Sequence, residues 1–361
     1  MSWSWSIGRM FGIRIKIHFT FLLFVGWIAV AQGMLTGNAL QASLSVLLML
    51  LVFGCVLLHE LGHALTARRF GVSTRDIILL PIGGLARLER MPEKPSQEIL
   101  VAIAGPAVNV AIALLLAALM AAFQMPLAEL SFTGGLIEAL LYINVVIVLF
   151  NMIPAFPMDG GRVLRAVLAT RMPFVQATQI ASYIGQGVAV LFGIAGIAMN
   201  HPMLLLVALF VFLAASEERA MVQSRSAMQG VAARDAMITE FQVLRADDTL
   251  QQAMDLLMAG SQTDFPVVHD GAPVGMLSRS ALFSGLRSAG PGARIGEVME
   301  ADAGYVDPGE PLEAVVRRMQ SGRRSAMPVI TQGRLVGMVT AENVAELLMA
   351  HDALRRFQGA S

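Results

Sequence analysis

Six long apolar runs, set apart by short polar clusters, constrain this chain more than any other feature of its sequence. They lie at roughly 17–36, 42–67, 98–122, 135–156, 177–198 and 202–216. About 20 apolar residues in a helix cross the hydrocarbon core of a bilayer. Lipid offers an open backbone no hydrogen bonds, so runs this continuous are expected as helices. They predict a multi-span α-helical membrane domain with six transmembrane helices over residues 1–218. Only 14% of the 361 residues are charged, against about a quarter in a typical soluble domain, which excludes an ordinary cytosolic enzyme. The 26 basic and 26 acidic residues cancel, so nucleic acid is not an expected partner. A single cysteine, Cys55, excludes a disulfide framework and a cysteine-based metal site. No small-residue cleavage site follows the first apolar run, which is therefore read as a retained span.

The basic residues orient these spans. Arg9, Arg14 and Lys16 precede the first; Arg68, Arg69, Arg75, Arg87, Arg90 and Lys94 lie between the second and third. Arg162, Arg165 and Arg171 follow the fourth, and Arg219 and Arg225 follow the sixth. The loops near 37–41, 123–134 and 199–201 hold no Lys or Arg. Positive charge collects on the cytoplasmic side of membrane proteins. A multi-pass protein of the cytoplasmic (inner) membrane, with both termini in the cytoplasm, is the expectation.

Beyond residue 225 the charges spread evenly and the apolar segments shorten. Pro266-Val267-Val268, Gly271 and Val274-Gly275-Met276 recur 62 residues later as Pro328-Val329-Ile330, Gly333 and Val336-Gly337-Met338. Each copy reads as a helix, a β-hairpin turning at its glycine, and a second helix. Two copies this short predict one pseudo-symmetric α/β pair, with copies at 234–286 and 294–350, a linker at 219–233 and a C-terminal tail at 351–361.

The chemistry lies in the second run, Leu58-His59-Glu60-Leu61-Gly62-His63. Helix positions i and i+4 share a face, so His59 and His63 can hold one metal ion with Glu60 beside it. Two histidines satisfied by backbone carbonyls are the other reading, but ionisable groups within a span are costly and mark functional sites. Catalytic zinc takes three protein ligands and leaves a position for water. Asp159, in Pro154-Ala155-Phe156-Pro157-Met158-Asp159-Gly160-Gly161-Arg162, is the candidate third. It is also placed to cap the helix expected at 160–171, and the two roles are compatible.

Together these motifs resemble the site-2 protease family of intramembrane zinc metalloproteases. The six spans with a cytosolic tail resemble its bacterial and archaeal branch, which carries paired cystathionine β-synthase (CBS) domains. The resemblance implies one zinc per chain held by His59, His63 and Asp159, with Glu60 as general base. It implies an endopeptidase acting on a transmembrane or membrane-associated protein near the cytosolic face. Gly105-Pro106-Ala107-Val108-Asn109 resembles another family element. Asn109 is a candidate donor to the substrate backbone or the oxyanion; small-residue helix packing with a polar residue as glue is the alternative. The stretch 76–88 is too short to span, and Ile82, Gly83 and Gly84 mark a membrane-associated β-hairpin. Its edge could take a substrate strand; an apolar loop on the membrane surface is the other reading.

The repeated tail resembles CBS domains, whose clefts bind adenine nucleotides through Gly-x-x-Thr/Ser-x-x-Asp. Here the first copy has Gly275, Ser278 and Ala281, and the second has Gly337, Thr340 and Asn343. Ala281 cannot accept a hydrogen bond from a ribose, so Ser278 is a weak candidate and Thr340 with Asn343 a better one. A purely structural tail, or one that pairs two chains into a homodimer, stands beside the sensor reading. From another functional class, a transporter or channel gated by the CBS pair would also place ionisable groups in spans. The absence of a second copy of either membrane motif argues against that alternative.

Overall fold

The computed structural model describes residues 3–88, 94–124 and 135–359; Arg90 and the loop at 125–134 used in the orientation argument lie outside the described residues. The chain divides into two compact units, Met1–Val222 and Gln223–Ser361.

The first unit opens with strands β1 (Ser4–Met10) and β2 (Ile13–His18), then helices α1 (Phe19–Thr36) and α2 (Ala39–Arg69). Strands β3 (Thr74–Leu80) and β4 (Gly83–Leu88) follow, then α3 (Pro95–Ala122), α4 (Leu136–Asn151), α5 (Asp159–Ala169), α6 (Phe174–Ala198) and α7 (Pro202–Ala227). Helices α1, α2, α3 and α6 are long and apolar enough to cross a membrane. Helix α4 is a shorter apolar helix, ended by Pro154 and Pro157, which cannot continue it. The apolar part of α7 gives way to Glu217, Glu218 and Arg219. Residues 219–227 of the expected linker continue that helix.

Where a hairpin alone was expected, the four strands form one sheet in the order β1-β2-β3-β4. Ile13, Ile15 and Ile17 alternate with Arg14 and Lys16 along β2, a period that puts one face in and the other out. Phe11 and Gly12 turn the first hairpin with positive φ at both positions (52° and 85°), the geometry that matches strand twist. Strand β2 then runs parallel to β3, and β3 antiparallel to β4. Ile13 and Ile77 pack against Leu61 and Ala64, so the sheet rests on the helix that carries His59 and His63. Buried Asp76 of β3 meets Lys16 of β2 (2.8 Å) and Arg87 of β4 (2.5 Å), tying three strands together.

The second unit contains α8 (Ala233–Ala236), β5 (Leu244–Arg245), α9 (Leu250–Ala259), β6 (Phe265–His269), β7 (Ala272–Leu277) and α10 (Arg279–Ala289). After a 3-10 turn at Ile295–Glu297 come α11 (Leu312–Gly322), β8 (Ala326–Thr331), β9 (Arg334–Thr340) and α12 (Ala341–Gly359). The 62-residue offset carries the core. Leu250, Phe265, Val267, Leu277 and Leu282 fill one cluster, and Leu312, Met327, Val329, Val339 and Val344 fill the other. Each hairpin turns on a two-residue loop, Asp270-Gly271 or Gln332-Gly333, with φ positive throughout. The copies also exchange pairing. Ile238, near the start of the first, bridges Met338 of the second, and Glu300, near the start of the second, bridges Met276 of the first. Neither copy completes its sheet alone.

Candidate active site and metal centre

Helix α2 presents His59 and His63 one turn apart, and α5 begins at Asp159, so helices from distant parts of the chain converge. His59 Nε2 lies 3.0 Å from His63 Nε2, and Asp159 Oδ2 lies 3.2 Å from each. All three residues are buried. Among the described residues they form the group of His, Cys, Asp or Glu side chains close enough to share a metal ion.

The far side of each ring is equally specified. His59 Nδ1 lies 2.6 Å from Asn109 Oδ1, and His63 Nδ1 2.7 Å from the Val101 carbonyl. Oxygen acceptors at Nδ1 fix the tautomer, leaving the Nε2 lone pairs aimed at Asp159. Three lone-pair-bearing atoms held this close suit a cation between them. Gly105 of α3 makes room for it: a Cβ there would collide with Nε2 of both imidazoles. Two nitrogens and a carboxylate oxygen match a catalytic zinc set, so the residues fit the metal that the sequence implies.

Asn109, the sequence candidate for a donor to substrate, stands behind His59. It is fully buried. Its Oδ1 serves His59 and its Nδ2 donates to Asn144 Oδ1 at 2.7 Å. Asn144, on α4, in turn donates to the Leu140 carbonyl at 2.8 Å. In this arrangement Asn109 orients a histidine through its oxygen and ties α3 to α4 through its amide nitrogen.

Glu60 faces a cavity of about 370 Å³ that the triad, the β3–β4 hairpin, Asn151 and Arg162 also line. Its Oε2 accepts from the Ala86 N–H of β4 at 3.2 Å. Ile82, Gly83 and Gly84 border the same cavity. Strand β4 comes so close that a Cβ at Gly84 would run into the Glu60 side chain. Strand β4 is an edge of the sheet, and the reach of Ala86 N–H to Glu60 shows that this edge opens on the cavity.

One buried charge cluster escaped the sequence reading. Arg165, six residues after Asp159 on α5, donates to Glu98 of α3 (2.8 Å from Nε) and to Glu218 of α7 (2.5 Å). Its guanidinium also lies over the rings of Phe156 and Phe174. The available signal was a pair of ionisable residues in largely apolar helices; counted only for topology, Arg165 gave no hint of its partners.

In the tail, Thr340 and Asn343 line a cleft of about 600 Å³ with Glu240, Asp264, Glu342 and Glu346. Thr340 Oγ1 donates to Asn343 Oδ1 at 2.7 Å and accepts from Asn343 N–H. Ser278, its counterpart, caps α10 and donates to Glu300; it does not border this cleft.

Comparison with known proteins bears on both units. The family model described as Peptidase family M50 matches residues 47–134 and 122–192, and that of the CBS domain matches 233–288 and 295–350. Zinc metalloprotease MJ0392 of Methanocaldococcus jannaschii is 32% identical over 278 residues, covering 77% of this chain and 78% of that protein. The solved site-2 protease from Methanocaldococcus jannaschii is 34% identical, covers 60% of this chain and 95% of its own, and superposes with a TM-score of 0.45. The CBS domain-containing protein YhcV of Bacillus subtilis is 26% identical over 124 residues, covering 33% of this chain and 87% of that protein.

Proposed function

The chain belongs to peptidase family M50, as a site-2 protease-like zinc metalloprotease with a CBS pair, and from that premise we propose that it cuts a transmembrane or membrane-associated protein near the cytosolic face of the inner membrane. The proposed layout is a six-span domain at 1–218, a linker at 219–233, CBS copies at 234–286 and 294–350, and a tail at 351–361. Both termini are cytoplasmic. The cluster of basic residues in alternate loops supports this topology, with α4 as the fourth span and the apolar part of α7 as the sixth.

The observation that carries the reading is the convergence of His59 Nε2, His63 Nε2 and Asp159 Oδ2 with both Nδ1 atoms tied back. One zinc ion held there would act as a Lewis acid toward water and the scissile carbonyl. The chain's own groups do the rest. Glu60 takes a proton from the attacking water as its oxygen bonds to the carbonyl carbon, and returns it to the amide nitrogen as the C–N bond breaks. Substrate lies as an added strand along the open edge of β4, where backbone pairing straightens a helical segment so that one peptide bond reaches Glu60. The Ala86 N–H now on Glu60 is part of that edge, and substrate pairing frees the carboxylate. The CBS pair senses an adenine-bearing ligand at Thr340 and Asn343 and pairs two chains.

Metal content and cleavage of a single-span substrate, measured on purified variants, test the assignment. The parent binds about one zinc per chain, and His59→Ala and Asp159→Ala bind at least about tenfold more weakly. Glu60→Gln keeps its zinc and cleaves about 10²–10⁴-fold more slowly. A parent that takes up no zinc when it is supplied would overturn the reading and favour a CBS-gated transporter.

A further inference from the structure

We propose that strand β1 and its turn form a lipid-binding surface, seated in the headgroup–acyl boundary of the bilayer with Arg9 and Arg14 directed at lipid phosphates. The inference rests on the membrane reading of α1 and goes beyond it. Cross-strand partners point to the same face of a sheet. Trp5 stands opposite Ile17, Gly8 opposite Ile15 and Met10 opposite Ile13, so the apolar face of β2 continues over β1. Under β2 that face is covered: Ile13 and Ile15 are 5% and 6% exposed. Over β1, among the described residues, it is not. Trp5 is 56% exposed and Met10 40%, and Trp3 ahead of the strand (65%), Ile7 at the register shift (58%) and Phe11 in the turn (62%) are exposed beside them. The opposite face pairs Ser6 with Lys16 and Arg9 with Arg14. One strand thus carries an aromatic, apolar side and a polar, basic side.

Its position selects lipid as the occupant. Strand β2 ends at His18 and α1, a candidate span, starts at Phe19. The Phe19 ring sits 6.0 Å from Trp3 and 6.3 Å from Trp5, and its N–H donates to the Trp3 carbonyl. The bare side of β1 therefore runs into the outward side of α1, where Leu23, Trp27 and Val30 are likewise exposed. Tryptophan and arginine at the end of a span match the interfacial zone, where an amphipathic ring and a phosphate-binding cation are both satisfied. The consequence reaches the active site. Strand β1 is one edge of the sheet whose other edge, β4, touches Glu60, so lipid holding β1 sets the depth at which β4 receives substrate.

The chain has three tryptophans, Trp3, Trp5 and Trp27, which makes depth-dependent fluorescence quenching a direct test. Full-length Trp27→Phe is reconstituted into vesicles of zwitterionic and anionic lipid that carry bromine either high on the acyl chain or near the bilayer centre. Emission from Trp3 and Trp5 should fall about twofold with the shallow label and less with the deep one. Trp3→Phe/Trp5→Phe, reporting Trp27 alone, should show the reverse order. If Trp27 is quenched but Trp3 and Trp5 respond to neither label, the proposal is wrong while the membrane reading of α1 stands. Access to aqueous iodide would then indicate an open surface, and shielding from it a protein partner such as a second copy. If Trp27 is not quenched either, the membrane reading of α1 falls and takes the proposal with it.

Discussion

Each imidazole of the triad spends its Nδ1 on an oxygen, His59 on Asn109 and His63 on the Val101 carbonyl, which leaves Nε2 as the atom available to a cation. The cost of holding two such nitrogens within about 3 Å of a carboxylate oxygen, with little water to screen them, falls when a cation sits between. The room for it depends on Gly105. Gly105→Ala should therefore lower zinc affinity by at least about tenfold while the helical circular dichroism stays intact, since the added methyl meets the two Nε2 atoms and not a backbone neighbour. Gly54→Ala, on α2 with open space around its Cβ, is the control, and zinc loss there too would sink the steric argument. How far these residues could be read from sequence follows from distance along the chain. His59, Glu60 and His63 lie within one helical turn, so spacing alone suggests a shared ion. Asn109 is 50 residues from His59 and 35 from Asn144, and no periodicity links positions that far apart.

Elements are fixed here by two ion-pair clusters that hydropathy does not register. Long helices stand out because a window of about 20 residues averages over errors of one or two. The strand β1 did not, because its Ser-Trp alternation is short and leads straight into a span. Its pairing with β2 depends on a two-residue turn, and the parallel pairing of β2 with β3 on α1 and α2 lying between. The sheet's buried Asp76 offers a test. Arg87, then Lys16, hold its carboxyl at about 2, well below the unfolded value. A depressed native pKa adds stability that is complete above the unfolded pKa and is lost as pH falls through the native one. The advantage of the parent over Asp76→Asn, about 2 kcal/mol at pH 7 from the size of that shift, should shrink between about pH 5 and pH 2. Thermal unfolding of both in detergent across that range checks it, and a gap independent of pH would show that the carboxylate charge is not what stabilises the sheet. The second cluster pins α5, and with it Asp159. Arg165→Met would leave Glu98 buried without its cation, a loss of about 3–5 kcal/mol, and Glu98→Met in the same chain should recover much of it. A double variant no more stable than the single one would mean that Arg165 acts through packing on Phe156 and Phe174 instead.

Across the whole molecule the charges divide as the solvents do. Residues 1–225 hold 14 basic and 10 acidic side chains, whereas 226–361 hold 12 and 16, so the membrane part is net +4 and the tail net −4. That imbalance was legible as composition, but where it is concentrated was not, because the cleft at Thr340 is assembled from distant segments of both copies of the repeat. Its lining brings Glu240, Asp264, Glu342 and Glu346 together and, among the described residues, includes no Lys or Arg. A site for a triphosphate would show the opposite sign. Hydroxyl and amide groups at Thr340 and Asn343 suit a ribose, while each phosphate charge added to the ligand meets carboxylates at a cost of about 1 kcal/mol per close pair in water-like surroundings. Adenosine should therefore bind more tightly than AMP, and AMP more tightly than ATP, with about tenfold or more between the extremes at low ionic strength. Because the opposition is between partly exposed charges, salt should compress the series as the screening length drops below about 10 Å. Calorimetric titration of the full-length protein in detergent, without Mg²⁺, at two salt concentrations reads this order. ATP binding more tightly than adenosine would show that the carboxylates do not govern the cleft.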